Sequence, residues 1–358
     1  MENMERLDFN FYKGKTVLVT GHTGFKGTWL CHLLLKMGAN VIGYSLKPNT
    51  NPSLFELAKL DDKIVSIIDD IRNYESLLKV FKKYNPEIVF HLAAQPIVSE
   101  SYKDPKYTYE TNMLGTLNVL ECIRNTDSVK SFVNVTTDKV YFNNEKGKPF
   151  KEDDKLDGGE PYSNSKSCSE LITASYRRSF FIDREISIST ARAGNVIGGG
   201  DFSLNRILPD CYRAYNSKEV LKLRNPNSVR PYQHVLEALF MYCLIAQKQY
   251  RNKNFEGSYN IGPEKSSVIK TIDLVTIAKN VFKDLTFEFD SSQTFKEAKL
   301  LKLDIGKIKK IFKYKQRWDI VKAVEKTCEF YKKITNCNVS SLIDEDIDCF
   351  FDLKWKYF

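Results

Sequence analysis

The sequence predicts an α/β protein: a doubly wound parallel sheet with a smaller, mainly helical C-terminal domain. Three observations predict it. Through the first half of the chain, short β-rich runs alternate with amphipathic helical stretches, the pattern of strands joined by crossover helices. A glycine-spaced turn follows the first of these runs directly. After residue 193 the alternation loosens, and lysine-rich helical patterns take over.

Residues 16–20 (TVLVT) read as a strand, 28–37 as a helix and 40–44 as the second strand. A third strand covers 63–68, followed by a helix over 74–84, a strand over 88–93 and one long helix over 105–123. Residues 131–136 read as a buried strand, 161–179 as a helix and 185–192 as the next strand. Residues 198–200 form a turn, 201–230 a helix plus a short strand, and 232–248 a helix. Beyond 266 the chain reads as helical, ending in the aromatic residues Phe350, Phe351, Trp355, Tyr357 and Phe358. The expected division is a first domain over 1–193, to which 231–265 returns, and a second over 194–230 and 266–358.

The composition supports two domains sharing a core: 358 residues, of which 42% are hydrophobic. The net charge of +9 comes from lysines scattered over the whole chain. They form no phosphate-tracking stripe, so nucleic acid is not an expected partner. Eight cysteines with no CxxC pair and no Cys/His metal spacing predict free thiols in a reducing cytoplasm and no metal site. Residues 1–15 are polar and charged, unlike a signal peptide. The longest apolar run, 235–246, contains Glu237 and is too short to span a bilayer.

The first strand leads into Gly21-His22-Thr23-Gly24-Phe25-Lys26-Gly27, a GxxGxxG turn opening a helix. Glycines let the backbone turn tightly and approach a pyrophosphate, whose charge meets the helix N-terminus. This predicts a Rossmann-type dinucleotide site. No acidic residue ends the second strand, where Ser45, Leu46 and Lys47 stand. The residues alone leave NAD and NADP open. Asp70 and Ile71, after the third strand, are candidate adenine contacts; Asp70 reads equally as a capping aspartate.

Tyr162-Ser163-Asn164-Ser165-Lys166 is YxxxK on a helix, which puts Tyr162 and Lys166 on one face. A phenol with a pKa of about 10 is a poor base at neutral pH, and a neighbouring ammonium brings it toward working range. Thr137, Asp138 and Lys139 follow the strand at 131–136, and ligands sit at the carboxyl ends of parallel strands. The three are therefore expected to face a substrate.

These segments, with HLAAQ (91–95), TTDK (136–139), RAGNVIGGGDF (192–202) and RPYQHV (230–235), stand in the order found in the extended short-chain dehydrogenase/reductases. Within that superfamily the chain resembles the CDP-glucose 4,6-dehydratases over about residues 10–330. The resemblance implies NAD as cofactor and CDP-glucose as substrate. It implies oxidation at C4′, loss of water across C5′–C6′ and return of hydride to C6′. Tyr162 would take the 4′-hydroxyl proton, supported by Lys166, and Thr137 would hydrogen-bond the 4′-oxygen. Asp138 would act as the acid for the departing 6′-hydroxyl. Lys139 stands in the place of the C5′ base, or else stabilises the enolate electrostatically.

The resemblance also implies cofactor contacts from Gly21, Thr23, Gly24, Phe25, Lys26, Gly27, Ser45, Asp70, Ile71, Leu92, Ala93, Ala94, Gln95, Tyr162 and Lys166. Substrate contacts would come from Gln95, Thr137, Asn195, Arg206, Arg230 and His234, the arginines suiting a diphosphate. A homodimer is expected, pairing helices 105–123 and 161–179 about a two-fold axis. Two features depart from the family: Lys296-Glu297-Ala298 replaces an expected histidine before Glu-Ala, and the extension after Thr335 matches nothing in it.

Overall fold

The computed structural model describes residues 6–143, 147–290 and 301–353. Positions 296–298 and the aromatic residues from 355 onward lie outside them. Its strands are β1 (Thr16–Thr20), β2 (Asn40–Ser45), β3 (Val65–Ile68), β4 (Ile88–His91), β5 (Ser131–Thr137), β6 (Ser187–Ala193), β7 (Val196–Ile197), β8 (Val220–Leu223), β9 (Val229–Pro231), β10 (Gln233–His234), β11 (Gly257–Ile261), β12 (Val268–Lys270) and β13 (Thr286–Phe289). Seven of them make one parallel sheet in the order β11-β6-β5-β4-β1-β2-β3. The longer helices are α1 (Phe25–Lys36), α2 (Tyr74–Tyr84), α3 (Gly115–Arg124), α4 (Pro161–Phe180), α5 (Ile207–Ser217), α6 (Val235–Arg251), α7 (Thr271–Val281), α8 (Ile320–Lys333) and α9 (Val339–Phe351).

Side chains alternate across the sheet, as the pleat requires. Val17, Val19, Ile88, Phe90, Val133 and Val135 join a core with α1 and α6. Leu18, Val89 and Phe132 point the other way, into a second core with α2 and α3. Both faces of a parallel sheet are helix-covered, so β4 and β5 are buried along their whole length. A third core gathers Leu208, Leu223, Leu274, Phe282, Val324 and Tyr331, from α5, β8, α7, α8 and the segment after α7. Strand β11 adds an edge to the main sheet beside β6.

Three local expectations are corrected. Helix α1 begins at Phe25, with extended Gly24 as its N-cap, three residues ahead of the expected start. The single helix over 105–123 is a helix (Pro105–Tyr109), a π-turn (Glu110–Leu114) and then α3. Within the π-turn, Asn112 accepts from the Gln95 N–H at 2.8 Å and donates to the Gln95 carbonyl at 3.1 Å and to Ser165 Oγ at 2.9 Å. These bonds hold the widened turn, and apolar periodicity does not register one extra residue in a turn. The region after 266 is also not wholly helical. Strand β12 pairs antiparallel with β9, and β13 pairs parallel with β8.

Helix α9 lies on α1, with Lys36 Nζ 2.6 Å from Asp348 and His32 Nδ1 3.7 Å from Asp344. Among the described residues, no helix is long and apolar enough to cross a membrane.

Candidate active site

One cavity of about 890 Å³ opens at the carboxyl ends of the central strands and reaches to α5, β8 and β9. The glycine turn forms one end of it. Gly21 has φ +76°, and a Cβ there would lie 2.7 Å from the Ala93 nitrogen. A Cβ at Gly27 would lie 2.1 Å from the Gly21 carbonyl oxygen. At Gly24 a Cβ would meet only that same oxygen, at 3.4 Å. No side chain caps α1, so its first N–H groups stay available to an anion. Thr23 Oγ1 donates to the Leu46 carbonyl at 2.8 Å and sits 3.0 Å from Ser45 Oγ, tying the turn to the end of β2. A bare helix N-terminus, a turn only glycine can make and an open approach at Gly24 fit a dinucleotide's pyrophosphate.

Phe25, Lys26, Asp70, Ile71, Leu92, Ala93, Ala94 and Gln95 all line the cavity. Two of them have their polar atoms already engaged. The Asp70 carboxylate takes Arg72 Nη2 at 2.8 Å and the Arg72 N–H at 2.9 Å. The Gln95 amide donates to Thr108 Oγ1 at 2.9 Å and accepts from the Ile97 N–H at 2.6 Å. Burial, together with Arg206 nearby, lowers Lys26 to about 8, against the pull of Asp138 and Asp201.

Tyr162 and Lys166 stand in the first turns of α4. Pro161 opens that helix, and the Glu160 carboxylate accepts from the N–H groups of Tyr162 at 2.8 Å and Ser163 at 3.1 Å. Burial pushes the Tyr162 phenol up to about 12, opposed by a hydrogen bond with Thr137 and by Arg206. Lys166 is buried, and its Nζ donates to the Val135 carbonyl at 3.2 Å. Burial and Lys26 lower it to about 8, opposed by Glu170.

Thr137 is the last residue of β5, and its hydroxyl donates to Asp138 Oδ1 at 3.0 Å. Asp138 is 2% exposed, with Lys139 Nζ 3.9 Å from its Oδ1 and its Oδ2 buried without a partner. Lys139, Asn195, Arg206 and Arg230 line the same cavity, so the expected sugar and diphosphate contacts converge there. His234 does not line it. Its ring packs between Trp29, 5.9 Å between centroids, and Trp318, at 4.7 Å, while Nδ1 accepts the Leu236 N–H at 3.3 Å. Aromatic packing on both sides holds it in the wall behind the cavity, which corrects its expected substrate contact.

The sequence reading missed Glu170, which continues the face of Tyr162 and Lys166 by one more turn, and Asp201, which lines the cavity near Lys26. The four-residue spacing after Lys166 was the available signal for Glu170.

A parallel sheet with this glycine turn, and a YxxxK helix beside it, define an extended short-chain dehydrogenase/reductase. The family model described as GDP-mannose 4,6 dehydratase matches residues 18–327, and the chain belongs to that family. It is 41% identical over 335 residues to a CDP-glucose 4,6-dehydratase of Salmonella typhimurium (strain LT2), covering 91% of this chain and 93% of that one. Among solved structures, an epimerase from Methanothermobacter thermautotrophicus superimposes with TM-score 0.78 at 24% identity, covering 94% of this chain and 96% of that one. A dTDP-glucose 4,6-dehydratase from Bacillus anthracis, in complex with NAD, superimposes with TM-score 0.73 at 22% identity, covering 89% and 97%.

Proposed function

We propose that this protein is an NAD-dependent lyase that converts CDP-glucose to CDP-4-keto-6-deoxyglucose. One observation carries the chemistry: Asp138 Oδ2, buried and without a partner, in a cavity that Tyr162, Thr137 and Lys139 also line. The near full-length identity to a CDP-glucose 4,6-dehydratase supports the substrate.

The turn from Gly21 to Gly27, with Ser45, Leu92–Gln95, Tyr162 and Lys166, would hold the dinucleotide, which when bound would accept hydride from C4′ and return it to C6′ after water is lost. Tyr162 removes the 4′-hydroxyl proton, with Thr137 holding the oxygen. A ketone at C4′ acidifies the hydrogen on C5′, and Lys139 is placed to take it or to stabilise the enolate. Asp138 gives a proton to the departing 6′-hydroxyl. Asn195, Arg206 and Arg230 hold the diphosphate. The dinucleotide is assigned to 1–193 with 231–265, and the nucleotide sugar to 194–230 and 266–358. A homodimer is supported by Leu114, at the end of the π-turn, and by Leu171 and Phe180 of α4, which are 39%, 54% and 48% exposed. All eight cysteines are free thiols, which supports a cytoplasmic enzyme.

The test is incubation of the pure protein with CDP-, dTDP-, UDP- and GDP-linked sugars, followed by alkali. A 4-keto-6-deoxy chromophore from CDP-glucose is the expected result. Its absence with CDP-glucose, or its appearance only with another donor, refutes the assignment.

A further inference from the structure

Helices packed on a sheet ordinarily turn an apolar stripe toward it. The inner face of α4 is instead polar: Ser165, Lys166, Ser169, Glu170 and Thr173 are all buried. Glu170 is the most heavily bonded of them. One carboxyl oxygen accepts from Thr190 Oγ1 at 2.7 Å and from Arg192 Nη2 at 2.9 Å, and the other accepts from the Thr136 hydroxyl. Arg192 is itself 3% exposed, and its Nη1 donates to Tyr141 at 2.8 Å and to the Glu152 carbonyl at 2.7 Å.

This network grips the strand that ends in the catalytic turn. Lys166 holds the carbonyl of Val135, and Glu170, one turn further along α4, holds the side chain of Thr136. Thr137 and Asp138 follow immediately. Stability alone does not account for such a pair, because an apolar pair of similar volume often serves a fold as well or better. Its charge has a neighbour in the site. Lys26, from the glycine turn, acts to strip the proton from Lys166, and Glu170 acts to keep it. His91 on β4 also faces Lys166. Arg206, Asp138 and Glu160 face Tyr162, and Arg192 faces Glu170.

We infer that Glu170 is a positioning residue of the reaction: through Thr136 it fixes the end of β5 that carries Thr137 and Asp138, and through its charge it offsets Lys26 around Lys166. This rests on the function proposed above.

The test follows Lys166 directly, by NMR titration of protein labelled with carbon-13 at lysine Cε. The resonance is assigned by its loss in Lys166→Arg. In Glu170→Gln the Lys166 midpoint moves to lower pH, the alkaline limb of kcat/KM for CDP-glucose moves with it, and kcat falls on the order of tenfold. In Glu170→Asp the charge stays but the grip on Thr136 is lost, so kcat falls while the midpoint holds. An unmoved Lys166 midpoint in Glu170→Gln overturns the inference, as does a lowered Tm with unchanged kinetics. If neither variant folds, Glu170 serves folding alone and the inference fails. The titration needs no substrate, so the Lys166 midpoint is read in the same way even if the substrate assignment is wrong.

Discussion

The hydroxyl of Thr137 donates to one carboxyl oxygen of Asp138 at 3.0 Å, and the other oxygen of that carboxyl is buried with nothing bonded to it. An unmade bond on a buried polar atom costs about 1–3 kcal/mol. A hydroxyl that reaches this oxygen from the cavity offsets that cost. In the proposed mechanism Thr137 orients the carboxyl, and the free oxygen is the one that gives the proton.

Asp138→Asn is expected to oxidise the sugar but not to dehydrate it. An amide cannot deliver the proton that the 6′-hydroxyl needs, so turnover should drop by about 10²–10⁴-fold. Borohydride quenching of the reaction should still trap a ketone, as a mixture of the glucose and galactose epimers. Equal loss of trapped ketone and of final product would assign Asp138 to binding or oxidation instead.

Tyr162→Phe is expected to stop every step, because without a C4′ ketone the C5′ hydrogen is not acidic. Neither product nor solvent deuterium at C5′ should appear. Lys139→Met tests the base: if Lys139 removes the C5′ proton, exchange at C5′ is lost while ketone trapping persists. Exchange that survives in Lys139→Met moves the base elsewhere.

Gly27→Ala is expected to abolish dinucleotide retention. Its Cβ would stand 2.1 Å from the Gly21 carbonyl oxygen, a backbone atom fixed by the turn. Denaturing the purified wild-type protein should release NAD, and the variant should release none. Release of NADP from the wild type would contradict the cofactor assignment.

Burial pushes the Glu237 carboxyl up to about 7 from its ordinary 4.5, against the N–H groups of Trp318 and Arg317 and the Tyr314 hydroxyl. The folded protein keeps this proton to higher pH than the unfolded chain does. The stability it contributes is complete below the unfolded value and is lost as pH rises to about 7. Between pH 4 and pH 8 the wild type should therefore lose about 3 kcal/mol relative to Glu237→Gln. Urea denaturation of both proteins at each pH reads the difference, and a pH-independent gap would contradict it.

Leu171→Glu places a charge on the exposed face of α4. Light scattering should give a dimer mass for the wild type and a monomer mass for the variant; a monomeric wild type at micromolar concentration contradicts the proposed assembly.

Much of this was legible in the sequence because it was periodic or local. The strands around Val17–Val19 and Ile88–Phe90 carry unbroken apolar runs, and the turn from Gly21 to Gly27 carries its own spacing. What escaped needed distance. The π-turn at Asn112 is held by bonds to Gln95 and Ser165, which no window of neighbouring residues contains. His234 sits beside Arg230 in a promising motif, and only the approach of Trp29 and Trp318 takes it out of the cavity. Glu170 reads as an ordinary helical glutamate until β6 brings Arg192 against it.

Helix α9 roofs α1 through Lys36–Asp348 and His32–Asp344, and it also reaches the chain ahead of β3 through Lys63 and Ser340, 277 positions apart. On the ribosome, α1 emerges early, yet its face at His32 and Lys36 stays uncovered until residues 339–351 have been made. An early-made helix is thus covered by a segment made much later. A nascent chain stalled before α9 presents that uncovered helix to chaperones and proteases, and such non-local closure is slow. Damage to α9, far from any reacting atom, should therefore be felt first as a shortage of mature protein in the cell.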